Sequence, residues 1–562
     1  MASQDKTDVT ALEEDAPGQP ISVPDSGDTG ESGKLKMIVQ LVKKCLGVKD
    51  IAAMRLSLPA SLLEPIPNLE YWHYLDRPDL FAAINDSDDP FERMLAVLRF
   101  TFSKDLKFIR GKVCKPYNSV LGEHFRSHWD VIPVDYPSDP NEPPIQHLYI
   151  SPPVADPAPS SSYFFSSAAV SAPDVTHPAL SETASVKSGR SGKSGFSGLS
   201  FMSRGPSTTT AKTTPSASPQ PVETNLEAGM SNLSLANDRD SGPLLEADET
   251  AADKPRIRIA YLTEQVSHHP PISAYHAACP SRHIELTGVD QISAKVSGTT
   301  VRVMPGSFNK GIFVRITGGA GAGEMYHITH PVASVNGLLR GSFYVTVGDT
   351  TIITCSGGQD GEKLRAIIEY KEESWLGKAH FLLEGVIHEY DPKETVHEEW
   401  TRIKHVPKDR VLAVFDGSWR GRIRWKRVDA SDSEYATLID VSTLHVIPKS
   451  VRPLEKQQPN ESRKLWENVT EKLVKKEYSE ATKHKLAIEQ KQRDDAAERK
   501  RKGVDFVPKY FEPDISTGIP MLTEEGRKAI EEELAETADH RLEDSAPTPQ
   551  PQGVDLAEDV QA

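Results

Sequence analysis

The sequence predicts a β-rich α+β protein built around one large antiparallel sheet or barrel. Between residues 256 and 428, short β-rich runs follow one another with glycine or charged turns between them. They include "HIELTGVDQISAKVSG", "TTVRVMPG", "KGIFVRITG", "GLLRGSFYVTVGDTTIITC", "KLRAIIEY", "KAHFLLEGVIHEY" and "RVLAVFDGSWRGRIRW". Few helical patterns interrupt them, and closely spaced turns join antiparallel neighbours. Helical texture brackets the block, with "PFERMLAVLRFTFSKDL" before it and the residues from "SRKLWENV" to about 501 after it.

Taken in order, residues 1–33 are polar, acidic and rich in Gly, Pro and Ser, the composition of a disordered arm. At 34 the texture changes to "KLKMIVQLVKKCLG", where Leu35, Ile38, Val42 and Cys45 fall at helical spacing and Lys34, Lys36, Lys43 and Lys44 occupy the remainder. An ordinary packed amphipathic helix and a basic lid that touches membranes both fit. Residues 34–150 read as this segment plus the first part of a domain. Residues 151–252 dissolve into Ser, Thr, Ala, Pro and Gly. Such a stretch buries too little apolar area to offset its ordering entropy. It reads as a disordered insertion, because strand texture resumes at once with "RIRIAYLTEQ". Residues 253–515 complete the domain, and 516–562 read as an acidic tail, mostly disordered, with one short helix at "TEEGRKAIEEELAETA".

Lys and Arg total 65 against 81 Asp and Glu, a net charge of −16. That argues against a general nucleic-acid binder, though not against a local basic patch. Four cysteines lie far apart without CxxC spacing, so neither a disulfide framework nor a zinc site is expected, and a reducing compartment fits. The N-terminus lacks an apolar signal segment, and no run of about 18 apolar residues occurs.

The chemical question sits in "EQVSHHPPIS" at 264–273. As a metal site, His268 and His269 lack further ligands at convincing spacing, and there is no HExxH. As a catalytic base, the pair lacks a nucleophile, since no GxSxG or reactive-cysteine signature accompanies it. As an anion site, it needs cationic partners from elsewhere in the chain. The plain alternative is a turn stiffened by Pro270 and Pro271. Two other stretches bear on the choice. In "KPYNSVLGEHF", Lys115 and Asn118 sit around Pro116, where backbone N–H groups are also open to an anion. In "KHKLAIEQKQR", Lys485, Glu489 and Arg493 are spaced four and four, lining one helix face over about 12 Å. Ordinary ion pairs on a solvated helix are the simpler account of that spacing taken alone. Arginine suits bidentate phosphate contacts, lysine supplies a point charge, and glutamate accepts from sugar hydroxyls.

These motifs resemble those of the oxysterol-binding protein family. "EQVSHHPP" is similar to its fingerprint residue for residue, and "KPYNSVLGE" resembles its KPxNPxLGE motif with Ser119 in place of proline. "LVKKCLG…LSLPASLLEP" resembles its lid and entry region, and "RPLEKQQPNESRKLW" with the Lys–Glu–Arg helix resembles its C-terminal segment. The resemblance covers roughly 34–150 and 253–515 in order. The insertion departs from it, and no pleckstrin-homology or ankyrin texture precedes the domain, as in short-form members. It implies a near-complete antiparallel β-barrel around a lipid tunnel, an N-terminal lid carrying Leu35, Ile38 and Val42, and a C-terminal helical segment. It implies no enzyme, cofactor or metal. The expected activity is extraction of a membrane lipid, sterol first and phosphatidylserine second, in exchange for phosphatidylinositol 4-phosphate. The headgroup phosphates would meet Lys115, Asn118, His268, His269, Lys485 and Arg493, with Glu489 near the inositol hydroxyls.

The first functional expectation is therefore a cytoplasmic lipid exchanger, peripherally bound to anionic membrane surfaces at endoplasmic-reticulum contacts with plasma membrane or Golgi, and without nucleic acid. A lipid-gated sensor or scaffold is the second, kept open by the insertion. A histidine-dependent hydrolase lacks its set of nucleophile, base and orienting group. "SSYFFSSAAV" at 161–170 loosely resembles a two-phenylalanine motif that docks on an endoplasmic-reticulum receptor, with Ser166 at the acidic position. Its acidic flank is missing, and incidental hydrophobes are the simpler account.

Overall fold

The computed structural model describes residues 21–22, 37–147, 254–538 and 542, apart from 38, 42, 46, 49, 53–55, 59, 111–113, 140–141, 298–299, 338–343, 374–379 and 429–433. The lid residues Leu35, Ile38 and Val42, the 151–252 insertion with its paired phenylalanines and Ser166, and residues 543–562 lie outside the described residues. One departure appears at the start. β1 (Ile21–Ser22) pairs in parallel with β2 (Leu56–Ser57), so the arm expected to be unstructured contributes one short strand. Its partner lies 35 positions downstream, a pairing that arm composition does not foretell.

Then come β3 (His124–Val131), β4 (Ile257–His268), β5 (Pro271–Cys279), β6 (Ile284–Asp290), β7 (Ile292–Ser297), β8 (Thr300–Pro305), β9 (Ile312–Ile316) and β10 (Glu324–Ile328). They are followed by β11 (Val332–Asn336), β12 (Tyr344–Gly348), β13 (Thr350–Gly357), β14 (Lys363–Tyr370), β15 (Leu382–Tyr390), β16 (Val411–Ser418), β17 (Arg422–Arg427) and β18 (Ala436–Asp440). Twelve of these form one antiparallel sheet in the order β18–β17–β16–β15–β14–β13–β10–β9–β6–β5–β4–β3. Four others leave it as a smaller sheet, β12–β11–β8–β7.

The two edges of the large sheet, β3 and β18, do not pair with each other. The chain beyond β18 comes back to β3 instead. Ser450 exchanges backbone hydrogen bonds of 2.8 and 3.0 Å with His128, and the Trp129 indole donates to the Ile447 carbonyl at 3.1 Å. The large antiparallel sheet expected from the sequence is thus present, with an irregular segment covering the β3 edge.

The Pro90–Ser103 helix is buried along almost its whole length, as its run of Phe, Met, Leu and Val dictates. Asp89 caps it by accepting from the Phe91 amide at 2.8 Å, and Pro90 opens its first turn. Its hydrophobic side chains share one core cluster with Ile257, Ile259 and Tyr261 of β4 and with Tyr275 and Ala277 of β5. Alternate residues of β4, Ala260 and Leu262, join a second cluster with Tyr510, Phe511, Ala529 and Ile530. Both faces of β4 are therefore covered, which explains why it is buried almost throughout, Arg258, Thr263, Glu264 and Gln265 included.

That second cover includes the short helix expected at "TEEGRKAIEEELAETA" within the tail from 516. The Glu524–Leu534 helix, capped by the Thr523 hydroxyl, buries Gly526, Ala529, Ile530 and Glu533. Glu533 accepts from Arg126 at 3.2 Å, forms an ion pair with Arg452 at 3.2 Å and meets His128 at 3.1 Å. The acidic composition that reads as a solvated tail supplies the counter-charge for buried cations of the sheet.

Candidate functional site

β4 and β5 form a hairpin whose turn is the His268–Pro271 stretch, and the His269–Pro270 peptide is cis. A β-bulge precedes that turn: Gln265 pairs with Ser273, while Ser267 already pairs with Ile272. Before it, even-numbered positions of β4 lie on the outer face with Ala260 and Leu262. After it, His268 stands opposite Pro271, in step with Tyr275 and Ala277, which belong to the inner core. One extra residue thus moves His268 from the outer to the inner register. The two histidines are half-buried, with ring centroids 4.4 Å apart. Ser267 donates its hydroxyl to the Pro270 carbonyl at 2.9 Å, tightening the turn.

The KPYNSVLGE stretch lies beside this hairpin. The Gly122 amide donates to the Gln265 carbonyl at 2.9 Å, and the Gln265 amide donates to the Glu123 carbonyl at 2.8 Å. Lys115 reaches solvent and donates to Asn118 Oδ1 at 2.7 Å and to the Pro116 carbonyl at 3.0 Å. The density of protein around its ammonium, and next the positive charge of Lys485, hold its pKa down at about 8. Solvent access tempers the first of these causes. The geometry agrees with the second, since Tyr117, two residues on from Lys115, packs in one apolar cluster with Ala481, one turn before Lys485.

Lys485 comes from the Tyr478–Lys502 helix, where only Ala481 and Lys485 are buried. Its ammonium pairs with Glu489 one turn on. Arg493 is exposed and donates to Gln490 Oε1 at 3.0 and 3.2 Å. The predicted face is real, but burial falls along it from Lys485 through Glu489 to Arg493 as the helix runs into solvent. The structure brings Lys115, Asn118, Lys485 and Glu489 to one locality. It ties the histidine hairpin to the same loop through Gly122, and it leaves Arg493 outermost.

Sequence reasoning passed over two glutamates inside the same motifs. Glu123 is fully buried and accepts from Ser462 Oγ at 2.7 Å, Trp466 Nε1 at 3.0 Å and the Val120 amide at 3.0 Å. Glu264, also buried, accepts from the amides of Lys509 and Tyr510, each at 2.8 Å. Burial raises both carboxyls to about 7 against the lowering effect of those donors. They anchor the C-terminal chain to the site loops; their only signal in the sequence is a charge placed in otherwise buried strand texture.

Of the lid segment, Met37 and Cys45 are buried, and Lys43 and Lys44 are exposed on a helical stretch. The chain after it is fastened to β7: the Ile51 amide donates to the Ala294 carbonyl at 2.7 Å, and Asp50 accepts from the Ala294 amide at 2.9 Å. Among the described residues, no helix is long and apolar enough to cross a membrane.

Comparison with known proteins bears on this arrangement. The family model described as "Oxysterol-binding protein" matches residues 37–148 and 244–533. The chain is 40% identical over 523 residues to "Oxysterol-binding protein-like protein 1" of Schizosaccharomyces pombe, covering 91% of this chain and 93% of that protein. It is 30% identical over 251 residues to "Oxysterol-binding protein homolog 7" of Saccharomyces cerevisiae, covering 45% of this chain and 52% of that relative. Its fold is similar to the crystal structure of the Osh1 ORD domain in complex with cholesterol, with a TM-score of 0.51, 17% identity and 89% of each chain covered.

Proposed function

Because the chain belongs to the oxysterol-binding protein family, we propose that it is a non-enzymatic lipid exchanger acting at cytosolic membrane faces, with phosphatidylinositol 4-phosphate as one cargo and a sterol as the other. The observation that carries this reading is the packing of the Lys115 loop against the Lys485 helix, through Tyr117 and Ala481, while the same loop is hydrogen-bonded to the strand that leads into the His268–His269 turn. Two like charges held together cost free energy, and a phosphate dianion between them removes that cost. Lys115 and Lys485 serve as point charges, Asn118 and the histidines as neutral or charged donors, and Glu489 accepts from inositol hydroxyls. Arg493, at the solvent edge, supplies the outermost cation for the headgroup.

The acyl chains explain why a barrel is needed. Moving them through water costs about 0.8 kcal/mol per CH₂, which an apolar interior removes. That interior also carries a small polar cluster. The Tyr74 hydroxyl donates to Asp290 Oδ1 at 2.6 Å, and the Tyr275 ring lies 5.4 Å from that of Tyr74. Burial pushes the Asp290 carboxyl up to about 7. A hydroxyl-bearing cluster suits the single hydroxyl of a sterol, which is placed ahead of phosphatidylserine. The cholesterol complex of the structural neighbour agrees with that choice. The workplace that follows is the contact between the endoplasmic reticulum and the plasma membrane or Golgi.

The test is binding of a soluble short-chain phosphatidylinositol 4-phosphate, alongside transfer of fluorescent sterol between vesicles. His268→Ala with His269→Ala should abolish headgroup binding while sterol binding and the melting curve persist. Equal loss of both ligands in a protein that melts normally would refute a separate headgroup site. Stoichiometric binding without transfer would make the protein a lipid-gated scaffold instead.

A further inference from the structure

On a molecule with a net charge of −16, the Tyr478–Lys502 helix ends in concentrated positive charge. Arg499, Lys500, Arg501 and Lys502 fill its last turn, where cations also favour the helix dipole. Gly503 then takes the left-handed conformation at φ 61°, and the amides of Gly503 and Val504 donate back to Lys500 and Arg499 at 3.2 and 3.1 Å. In this type of cap the residue after glycine commonly packs back onto the helix. Here it does not. Val504 is 57% exposed, and Val507 is 69% exposed.

The two valines are nonetheless held in place. Phe506, between them, is half-buried, with the Arg499 guanidinium 5.9 Å from its ring centre. Its ring also fills the space over Gly122, where an added Cβ would come within 3.2 Å of it. On the far side, Pro508 and Tyr510 are buried, and Glu264 grips the amides of Lys509 and Tyr510. Asp505 lies between the valines, and Glu498 pairs with Arg501 and Lys502. The cations of 498–509 still outnumber these two carboxylates.

We propose that residues 499–509 form a docking surface for an anionic lipid bilayer, with Val504 and Val507 entering the interface and the surrounding cations meeting lipid phosphates. This deepens the lipid-exchange reading and rests on it. Through Phe506 and Gly122 the surface is rigidly tied to the loop of Lys115 and Asn118, and Gly122 in turn binds Gln265 ahead of the histidine turn. Docking here therefore presents the headgroup site to the membrane that supplies its ligand. Apolar side chains ringed by cations match a lipid interface, which orders charge at the phosphates and accepts isolated aliphatic groups below them.

The experiment uses the full chain and vesicles of phosphatidylcholine with or without phosphatidylserine, measured by co-sedimentation. Lys500→Gln with Lys502→Gln should weaken partitioning onto the anionic vesicles by about fivefold per lysine and leave the neutral vesicles unaffected. Val504→Asp with Val507→Asp should lower partitioning further, and the milder Val504→Ser with Val507→Ser should follow in the same direction. All variants should melt like the parent and bind soluble short-chain phosphatidylinositol 4-phosphate equally well. Partitioning equal to the parent in the charge and valine variants overturns the docking surface. Failure of the parent to bind the soluble phosphoinositide would instead refute the headgroup reading, so the two failures are separable.

Discussion

Two C-terminal helices make opposite uses of charge. The Tyr478–Lys502 helix, 25 residues long, buries only Ala481 and Lys485 and spends most of its ions on pairs within its own surface. The Glu524–Leu534 helix, 11 residues long, sinks Glu533 to full burial among Arg126, Arg452 and His128. The long helix looks like the functional element and the short one like a tail. In stability the order reverses, because an ion pair taken out of water must stay intact, whereas one left in water contributes little. The long helix is free to present Arg493 and its basic end to a ligand or a membrane because it holds little of the fold together.

The sharpest way to break this comparison is Glu533→Ala. It removes the buried carboxylate that Arg126, Arg452 and His128 share, leaving Arg126 with Glu532 and Arg452 with Glu461, so unfolding stability should fall by about 3 kcal/mol in denaturant titration. A midpoint close to the parent's would show that the short helix is dispensable after all.

A second, smaller effect concerns Glu123, which grips Ser462 and Trp466 in the helical segment ahead of the long helix. Its carboxyl stands at about 7 in the folded chain, above its unfolded value of about 4.5. Below pH 4.5 both states hold the proton. Between about 4.5 and 7 the folded state alone keeps it, so this group's contribution to stability falls as pH rises, by roughly 3 kcal/mol in total. Buried His124 and His276, lowered by burial to about 3 and about 4, act in the opposite sense over an overlapping range. The difference between parent and Glu123→Gln therefore isolates the carboxyl. Stability of the variant relative to the parent should rise across that window, and a flat difference would mean that Glu123 stays ionised.

The smallest effect belongs to the surface of the long helix. Lys483→Ala removes its exposed pair with Glu480 and should leave the melting midpoint and headgroup binding where they were. A clear loss of stability would show that surface pairs do hold this helix.

Much of the fold was legible because its strands are short, β-branched and separated by glycine or charged turns, and such a pattern has few antiparallel solutions. "PFERMLAVLRFTFS" declared a buried helix by its apolar run and its Asp89–Pro90 start. Lys115, Asn118, Lys485 and Glu489 were legible as a group only because their motifs occur together in the right order. Spacing alone could place the last two on one helix face but not beside Lys115.

The sequence by itself thus determined the strand-rich class, the helical flanks and the residue types of an anion site, since these depend on local pattern and composition. Only the tertiary structure decided the bulge that turns His268 to the inner register, the burial of Glu123, Glu264 and Glu533, and the exposure of Val504 and Val507. Each of those depends on which distant segment lies opposite. A bulge is defined by its partner strand, and a carboxylate is an anchor or a solvated charge according to what covers it.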